Sequence, residues 1–360
     1  MGRPLRARRA AAQLLCGPGE STATEIVGRL LAVQAQDLRA ARLALRARGA
    51  GLTAAEVDRA LTVERSVVVA WLARGTLHLV CRADYPWLLA LTAPSRAATS
   101  RRRLAQEGVS ANHAERAVEV VERALDDEGP LTRSELAALM AARGIRTAGQ
   151  ATPHLLMLAA LRGIAVLGPV RAGTQAFALA REWLGAVPSA GVDREAALAE
   201  LARRYLAGHG PATAADLAAW AGLPLRDARA GLGSIAGDVV ELGGGLVDLA
   251  GRAPAPDRVP PRLLPAFDPY VLGWKDRTFA VPAEHARRVH PGGGVVRAVA
   301  TVDGLAVATW GVRRRGERLA VDIEPFSPLG TTAVTTLQAE AADVARFEGL
   351  APARSRTGSE

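Results

Sequence analysis

A motif that starts helices recurs three times along the chain at a nearly constant interval. Each copy has a threonine, an acid three residues later and an apolar residue directly after the acid. The threonines are Thr53, Thr132 and Thr213, which are 79 and 81 residues apart. The threonine hydroxyl can accept from a free amide of the first helical turn, and the acid favours the positive end of the helix. We therefore predict three helix starts and an internal repeat.

The positions that follow each helix start are also alike. In the second copy a further helix begins near Thr152–Pro153, and two short extended runs follow at Ile164–Leu167 and Gln175–Leu179. The corresponding run of the first copy ends at Arg74–Gly75 and continues in extended form, and the third copy ends in a glycine-rich hairpin at Leu242–Leu249. Two helices followed by a two-stranded wing are typical of a winged helix-turn-helix, so we predict three in tandem.

The pattern changes beyond a proline-rich stretch at Ala253–Pro265. Three strands are predicted at Val295–Val302, Leu305–Val312 and Leu319–Ile323, with turns between them at Asp303-Gly304 and Arg315-Gly316, and a final helix at Thr332–Phe347. We therefore expect an α+β fold, mainly α, with three tandem winged helix-turn-helix units in a C-shape and a C-terminal β-rich subdomain. The expected divisions are residues 1–110, 111–190, 191–252 and 261–350.

The chain carries an excess of positive charge. Its 45 lysines and arginines against 36 acids give a net charge of +9, and the sequence pI is about 10.8. Such an excess favours anionic partners, of which nucleic acid comes first. The only lysine is Lys275. A GC-rich genome accounts for the shortage of lysine, but it accounts less well for the net charge.

Cofactors and a membrane location are not expected. Cys16 and Cys81 are too few for a disulfide framework, and neither they nor the six histidines have the spacing of a zinc site. No apolar run approaches the roughly 20 residues of a membrane span. The apolar stretch Ala10–Cys16 is too short for the core of a signal peptide. We therefore expect a cytoplasmic, monomeric protein that binds DNA without a cofactor.

The most informative local sequence is Val33-Gln34-Ala35-Gln36-Asp37. If it is extended, residues two apart point the same way, so Gln34 and Gln36 present two amide groups to one site. If it lies in a helix from Glu25 to Arg48, the two side chains diverge and both lie on or near the surface. Periodicity alone favours the helix.

Three blocks of the sequence stand out together, namely the Gln-apolar-Gln motif Gln34-Ala35-Gln36, the stretch Trp71–Val80, and Leu264–Tyr270 with the Lys275-Asp276-Arg277 that follows it. They resemble the AlkZ-like family of bacterial DNA glycosylases. The blocks stand in the family's order, and the resemblance spans residues 10–348. It implies that Gln34 and Gln36 are catalytic. A sister branch of the family has Asp in place of the second glutamine, so Gln36 places the resemblance with the branch of the azinomycin-resistance glycosylase.

The chemistry of two glutamines fits a labile substrate. An N-alkylated purine carries a positive charge and is already a good leaving group, so the site must only position water and stabilise an oxocarbenium-like sugar. A glutamine carbonyl can orient water while its amide NH2 contacts a phosphate or a base. We predict a monofunctional glycosylase that hydrolyses the N-glycosidic bond of bulky or cross-linking N-alkylpurines in double-stranded DNA, for repair or for self-resistance to a genotoxin. In extended backbone the side chain of Asp37 points away from the two glutamines, so Asp37 ranks lower as a catalytic candidate.

Two further sets of residues are candidates for DNA contact. Arginines crowd a predicted hairpin tip, where they either bind DNA or are only solvated surface; we expect DNA contact from Arg313, Arg314, Arg315 and Arg318. Weaker candidates, which add salt-sensitive affinity, are Arg3, Arg6, Arg8, Arg9 and Arg101–Arg103.

Two single residues have both a functional and a structural interpretation. His78 alternates with the apolar Leu77 and Leu79, so it lines a DNA-facing groove or holds the wing by a hydrogen bond. Asp268 stands directly before Pro269, and we expect it to cap a turn rather than to contact the site.

Two other functions remain open from the sequence. A winged-helix transcriptional regulator reads an operator, but three unlike winged helices in one chain are unusual for it and Gln34-Ala35-Gln36 then has no role. A resistance protein that sequesters a genotoxin binds the free compound and needs no DNA.

Overall fold

The computed structural model describes residues 2–17, 19, 22–171, 174–185, 191–353 and 356–357. Helix makes up 50% and strand 19% of these described residues, which confirms the predicted α+β class with helix predominating. The helices are α1 (Gly2–Ala12), α2 (Ala23–Leu30), α3 (Leu38–Arg46), α4 (Ala54–Thr62), α5 (Tyr85–Gln106), α6 (Ala111–Glu128), α7 (Arg133–Ala141), α8 (Ala151–Leu161), α9 (Ala180–Leu184), α10 (Arg194–His209), α11 (Ala214–Ala221), α12 (Leu225–Ser234), α13 (Pro269–Leu272), α14 (Ala286–Val289) and α15 (Thr331–Phe347).

Strands occur in pairs between these helices and in a C-terminal sheet. They are β1 (Val33–Gln34), β2 (Val67–Trp71), β3 (Leu77–Cys81), β4 (Ala165–Arg171), β5 (Thr174–Leu179), β6 (Val239–Glu241), β7 (Val247–Leu249), β8 (Arg262–Leu264), β9 (Val299–Val302), β10 (Leu305–Arg315), β11 (Arg318–Pro325), β12 (Ala351–Pro352) and β13 (Arg356–Thr357). Across the described ranges, no helix is long and apolar enough to cross a membrane.

The chain divides into two compact units. One comprises Met1–Asp58 together with Leu198–Glu360, and the other comprises Arg59–Ala197. The first unit is therefore discontinuous in sequence, because α1, α2 and α3 belong with the C-terminal sheet. The finer division that the repeat predicts, at residues 1–110, 111–190, 191–252 and 261–350, stays a prediction.

All three helix starts that the repeat predicts are present. The helices α4, α7 and α11 each begin directly after the repeated threonine. In each case the threonine hydroxyl accepts the N–H of the acid three residues later, and that acid accepts the N–H of the threonine. These reciprocal bonds satisfy two amides that the start of a helix otherwise leaves without a helical partner.

The second and third copies share a further backbone feature. In the second copy α6, α7 and α8 precede the antiparallel pair β4–β5, and in the third α10, α11 and α12 precede the pair β6–β7. The residue before the repeated threonine joins the hairpin in both copies. Leu131 exchanges backbone hydrogen bonds of 3.0 and 2.7 Å with Phe177, and Ala212 exchanges bonds of 3.0 and 2.9 Å with Val247.

The first copy departs from this pattern. The run before Arg74 forms the strand β2, where the second copy has the helix α8. Val67, Val68 and Val69 are consecutive, β-branched and fully buried, and such residues favour strand over helix. β2 pairs antiparallel with β3 and also with β4, so the strands of this unit follow the order β3-β2-β4-β5.

The C-terminal strands form one sheet in the order β12-β11-β10-β9-β8, with β13 also paired to β11. The predicted turn at Asp303-Gly304 connects β9 to β10, and the turn between β10 and β11 lies at Gly316-Glu317, one residue beyond its predicted place. The strand predicted from Val295 begins only at Val299, because the Val295 N–H closes a turn onto the Gly292 carbonyl. α15 begins one residue before its predicted start and packs against β8, β11, β12 and α3.

Candidate active site

The segment that holds Gln34 and Gln36 is not helical. α2 ends at Leu30 and α3 begins at Leu38, so the continuous helix that periodicity favours is wrong. The buried Leu31 leaves α2 with a φ of 66°, which residues other than glycine rarely adopt. Such a backbone costs on the order of 1–3 kcal/mol, and here it turns the chain out of the helix directly before the two glutamines.

Burial alternates along this segment. Val33 is 0% and Ala35 is 3% exposed, whereas Gln34 is partly exposed and Gln36 is exposed. The apolar residues therefore point inward and the glutamines lie on the outer side, as extended backbone requires. The arrangement brings two amide groups, each with a donor and an acceptor, to the outer side of one short segment.

Asp37 is engaged in starting the next helix. Its Oδ1 accepts the backbone N–H of Arg39 at 2.9 Å and that of Ala40 at 3.2 Å, which makes Asp37 the N-cap of α3. These bonds fix the carboxylate against the helix end. The geometry therefore agrees with the lower rank of Asp37 as a catalytic residue.

A fully buried ion pair holds the other end of α3. Arg48 and Asp268 both have side chains that are 0% exposed, and two nitrogens of the guanidinium donate to the two carboxylate oxygens at 2.9 and 2.8 Å. Arg48 also donates to the backbone and side-chain oxygens of Gln13, and Asp268 accepts the N–H of Tyr270 at the start of α13. The predicted capping role of Asp268 is confirmed. Nothing in the local sequence distinguishes Arg48 from the other arginines.

Ion pairs along α3 also attach it to α15. The buried Arg46 contacts Glu340 and Asp343 at 3.0 Å each and donates to the Leu263 carbonyl at 2.8 Å. Arg39, in the first turn of α3, contacts Glu348 at 2.9 Å. The helix that follows Gln36 is thus held at both ends. A site that positions water needs such rigid support, because a misplacement of about 1 Å can cost about 100-fold in rate.

His78 lies inside the molecule rather than at a DNA-facing surface. It is only 2% exposed, and burial lowers the pKa of its imidazole to about 3, with the nearby Arg74 acting in the same direction. A neutral ring fits its contacts, since Nδ1–H donates to the Thr76 carbonyl at 3.0 Å and Nε2 faces Arg74 Nη2 at 3.5 Å. The DNA-facing interpretation of His78 is corrected: the ring fixes the turn before β3.

The arginine-rich hairpin is exposed as expected. Arg313, Arg314, Arg315 and Arg318 are all exposed, at the tip of β10–β11. Arg313 pairs with Asp322, with Nη2 and Oδ1 at 2.7 Å, and Arg314 Nε donates to the Gly316 carbonyl at 3.0 Å. Arg315 lies directly opposite Arg318 in the strand register. Like charges so placed repel each other, and a bound anion relieves the repulsion.

Most of the N-terminal arginines stabilise the fold. Arg9 is 5% exposed, and its guanidinium lies 4.8 Å from the ring centroid of Trp274 and 4.4 Å from that of Phe279. Arg3 contacts the Asp303 carboxylate at 3.0 Å, and Arg6 Nε donates to the Asp303 carbonyl at 2.7 Å. The expected contribution to DNA affinity is therefore corrected for Arg9, which is inaccessible. Among the described residues, no group of three or more His, Cys, Asp or Glu side chains is placed so that it could hold a metal ion.

Comparisons with known proteins identify the family. A family model described as DNA glycosylase AlkZ-like matches residues 27–347. The Interstrand DNA cross-link repair glycosylase of Streptomyces sahachiroi is 28% identical over 354 residues, which cover 92% of each chain. The structure of the DNA glycosylase AlkZ of S. sahachiroi superposes with a TM-score of 0.78 at 28% identity and covers 99% of this chain and 98% of its own. Because the family match spans most of the chain, from α2 to the end of α15, the protein belongs to the AlkZ-like family and is a DNA glycosylase.

Proposed function

We propose that the protein hydrolyses the N-glycosidic bond of N-alkylpurine adducts in double-stranded DNA, including bulky and cross-linking ones, and that Gln34 and Gln36 are its catalytic residues. One observation carries this proposal. The two glutamines lie on the outer side of a short extended segment, and α3, which follows it, is held by buried ion pairs. The name of the S. sahachiroi relative, a cross-link repair glycosylase, supports the substrate class.

The reaction needs no titrating residue in the site. Water held by the glutamine carbonyls attacks C1′ of the sugar while the bond from C1′ to the purine nitrogen breaks. The electron pair of that bond neutralises the positive charge of the alkylated purine, which leaves as a neutral base, and the water proton passes to solvent. The products are a free alkylated base and an abasic site. A site of neutral amides therefore suits cationic adducts and leaves ordinary purines intact.

DNA binding is proposed for the repeats and for the exposed hairpin. Winged-helix units in the second and third copies are supported by their shared order of helices and hairpin, and by the equivalent backbone pairs at Leu131 and Ala212. That the first copy, in which the strand β2 stands where the second copy has the helix α8, forms a third such unit remains a proposal. Arg315 and Arg318 would contact phosphates. We further propose a monomer that acts in the cytoplasm on chromosomal DNA.

The substrate class is tested with defined duplexes. Purified protein is incubated with a duplex that carries one N7-methylguanine, with the same duplex carrying a bulky N7-alkylguanine, and with undamaged DNA. An abasic-site endonuclease then converts abasic sites to strand breaks, because hot alkali would also break the strand at an intact N7-alkylguanine. We expect breaks at the adducts and none in undamaged DNA. Intact strands with both adducts, combined with footprinting of a defined undamaged sequence, would instead favour a transcriptional regulator.

A further inference from the structure

A basic cavity lies in the discontinuous unit, apart from the glutamines. Its volume is about 300 Å³, and it is bordered by α1, by the end of α2, by α10 and by the loop after β7. Three arginines line it, namely Arg8, Arg29 and Arg252. The other lining residues are alanine, glycine, leucine and proline, so neither a carboxylate nor an aromatic ring lines the cavity.

The environments of two of these arginines differ. Arg252 is held in place, since its Nε donates to Asp248 Oδ1 at 2.7 Å and its other nitrogens reach the carbonyls of Leu206 and Ala207. Asp248 is 2% exposed and therefore compensates Arg252 from inside the protein. Arg8 is exposed and makes no hydrogen bond or ion pair with the described residues. Asp248 thus balances Arg252, whereas the guanidinium of Arg8 adds a positive charge to the cavity that none of the described residues pairs.

We propose that this cavity binds a phosphodiester group of the DNA substrate, with Arg8 as its accessible donor. Guanidinium groups bind phosphate oxygens through paired, charge-assisted hydrogen bonds. Stacking on a base is not available, since the lining has no aromatic side chain. This inference rests on the proposed action on DNA and adds a contact that fixes how the strand lies relative to the catalytic residues.

The position of the cavity along the chain favours a phosphate near the lesion. Arg29 is in the last turn of α2, and Gln34 follows five residues later. Five residues of fully extended chain span at most about 18 Å. Successive phosphates of one strand advance about 3.4 Å along the DNA axis, so this distance corresponds to about five nucleotides. We therefore expect the bound phosphodiester near the adduct, and the five nucleotides on either side of it are the positions to test.

The test neutralises one phosphate at a time. Single methylphosphonates are placed at each of the five positions on either side of an N7-methylguanine whose 2′-fluorinated sugar resists cleavage. Kd is measured for the wild type, for Arg8→Ala and for Arg258→Ala. Arg258 is a matched control, since it is exposed, does not line the cavity and makes no bond with the described residues. The thermal stability of the wild type and of Arg8→Ala is measured with inorganic phosphate and with chloride at equal ionic strength.

We expect one methylphosphonate to weaken binding of the wild type and of Arg258→Ala by about tenfold and to leave Arg8→Ala unchanged. Equal losses in Arg8→Ala and wild type at every position would overturn the proposal. So would stabilisation by inorganic phosphate that requires Arg8 but has no counterpart on DNA, because the cavity would then take the free anion. A wild type for which no methylphosphonate position matters would overturn the proposal as well, whereas equal Kd values for the adduct duplex and for undamaged DNA would show instead that the proposed function has failed.

Discussion

The β2–β3 hairpin and the β10–β11 hairpin both carry basic residues among apolar neighbours, but these residues are buried in the first hairpin and exposed in the second. In β3 the single histidine is enclosed, neutral and bonded to its own turn. At the tip of β10–β11 four arginines are exposed, and two of them, Arg315 and Arg318, face each other across the strands. The first hairpin is part of a buried core, whereas the second leaves its positive charge exposed at the surface.

The difference follows from what covers each hairpin. Residues Val67–Ala70 of β2 and His78–Cys81 of β3 are all buried, so both faces of these strands are covered. In β10–β11 the buried residues stop near Trp310 on one strand and resume at Leu319 on the other. Alternation therefore indicates a strand, but it does not tell whether a polar position meets solvent. A run of arginines does indicate exposure to solvent, because several unpaired charges cannot be buried together.

The largest expected effect is a loss of folding stability at acidic pH that is caused by the buried His78. Its pKa in the folded protein, about 3, lies below the ordinary value of 6.5, so the folded state binds fewer protons than the unfolded state as the pH falls between these values. The contribution of His78 to the free energy of unfolding, present above pH 6.5, is then lost by up to about 1.4 kcal/mol for each unit by which the pH falls. His78→Asn keeps a donor for the Thr76 carbonyl and does not titrate. Urea unfolding should show the stability advantage of the wild type over His78→Asn shrinking by about 2 kcal/mol between pH 6.5 and 4.5.

The DNA affinity of His78→Asn at pH 7 completes this comparison. A residue that only fixes a turn should leave the affinity of the folded protein unchanged. A clear loss of affinity, together with a stability difference that does not change with pH, would return His78 to the DNA interface.

The next effect concerns the tip of the exposed hairpin. Replacing Arg315 and Arg318 together by alanine should raise Kd for duplex DNA by about tenfold at 0.15 M salt, because two phosphate contacts are lost. The slope of log K against log salt should fall by about 1.8, or 0.9 for each contact. Fluorescence anisotropy at several salt concentrations measures both quantities. Unchanged affinity with an unchanged slope would show that the tip is only solvated surface.

The smallest effect distinguishes arginines within the same hairpin. Arg313 is already paired with Asp322, and this carboxylate raises the pKa of the guanidinium. We expect Arg313→Ala to weaken DNA binding by no more than about twofold, and Asp322→Asn to strengthen it by about the same factor, since it frees Arg313. An effect of Arg313→Ala as large as that of the double variant would mean that DNA displaces Asp322.

What the sequence predicts well is local. The three helix starts rest on a threonine and an acid three residues apart, and the turns, at Asp303-Gly304 and within one residue of Arg315-Gly316, rest on their own residues. The end of α2 could not be predicted in this way, because Leu31 has a positive φ and no glycine marks the end of the helix. The surrounding buried structure imposes that conformation, and a window of sequence does not contain it.

Long-range pairing accounts for the rest. Arg48 and Asp268 are 220 residues apart in sequence and form one fully buried ion pair. More than 200 residues likewise separate the N-terminal helices, which end at Arg46, from the sheet with which they form one unit, which begins at Arg262. Gln34 and Gln36 are singled out by a short motif together with a family resemblance. Their outward direction depends on buried contacts of Val33 and Ala35, which are visible only in the structure.

The central claim is that Gln34 and Gln36 act on the chemical step, and single-turnover kinetics tests it most directly. Excision of N7-methylguanine is followed with protein in excess for the wild type, Gln34→Ala, Gln36→Ala and the control Gln338→Ala, an exposed glutamine of α15 without a side-chain hydrogen bond to the described residues. We predict a rate constant about 100-fold lower in each of the first two variants, with Kd for the duplex and the rate of Gln338→Ala unchanged. Wild-type rate constants in Gln34→Ala and Gln36→Ala would contradict the account and place catalysis elsewhere in the chain.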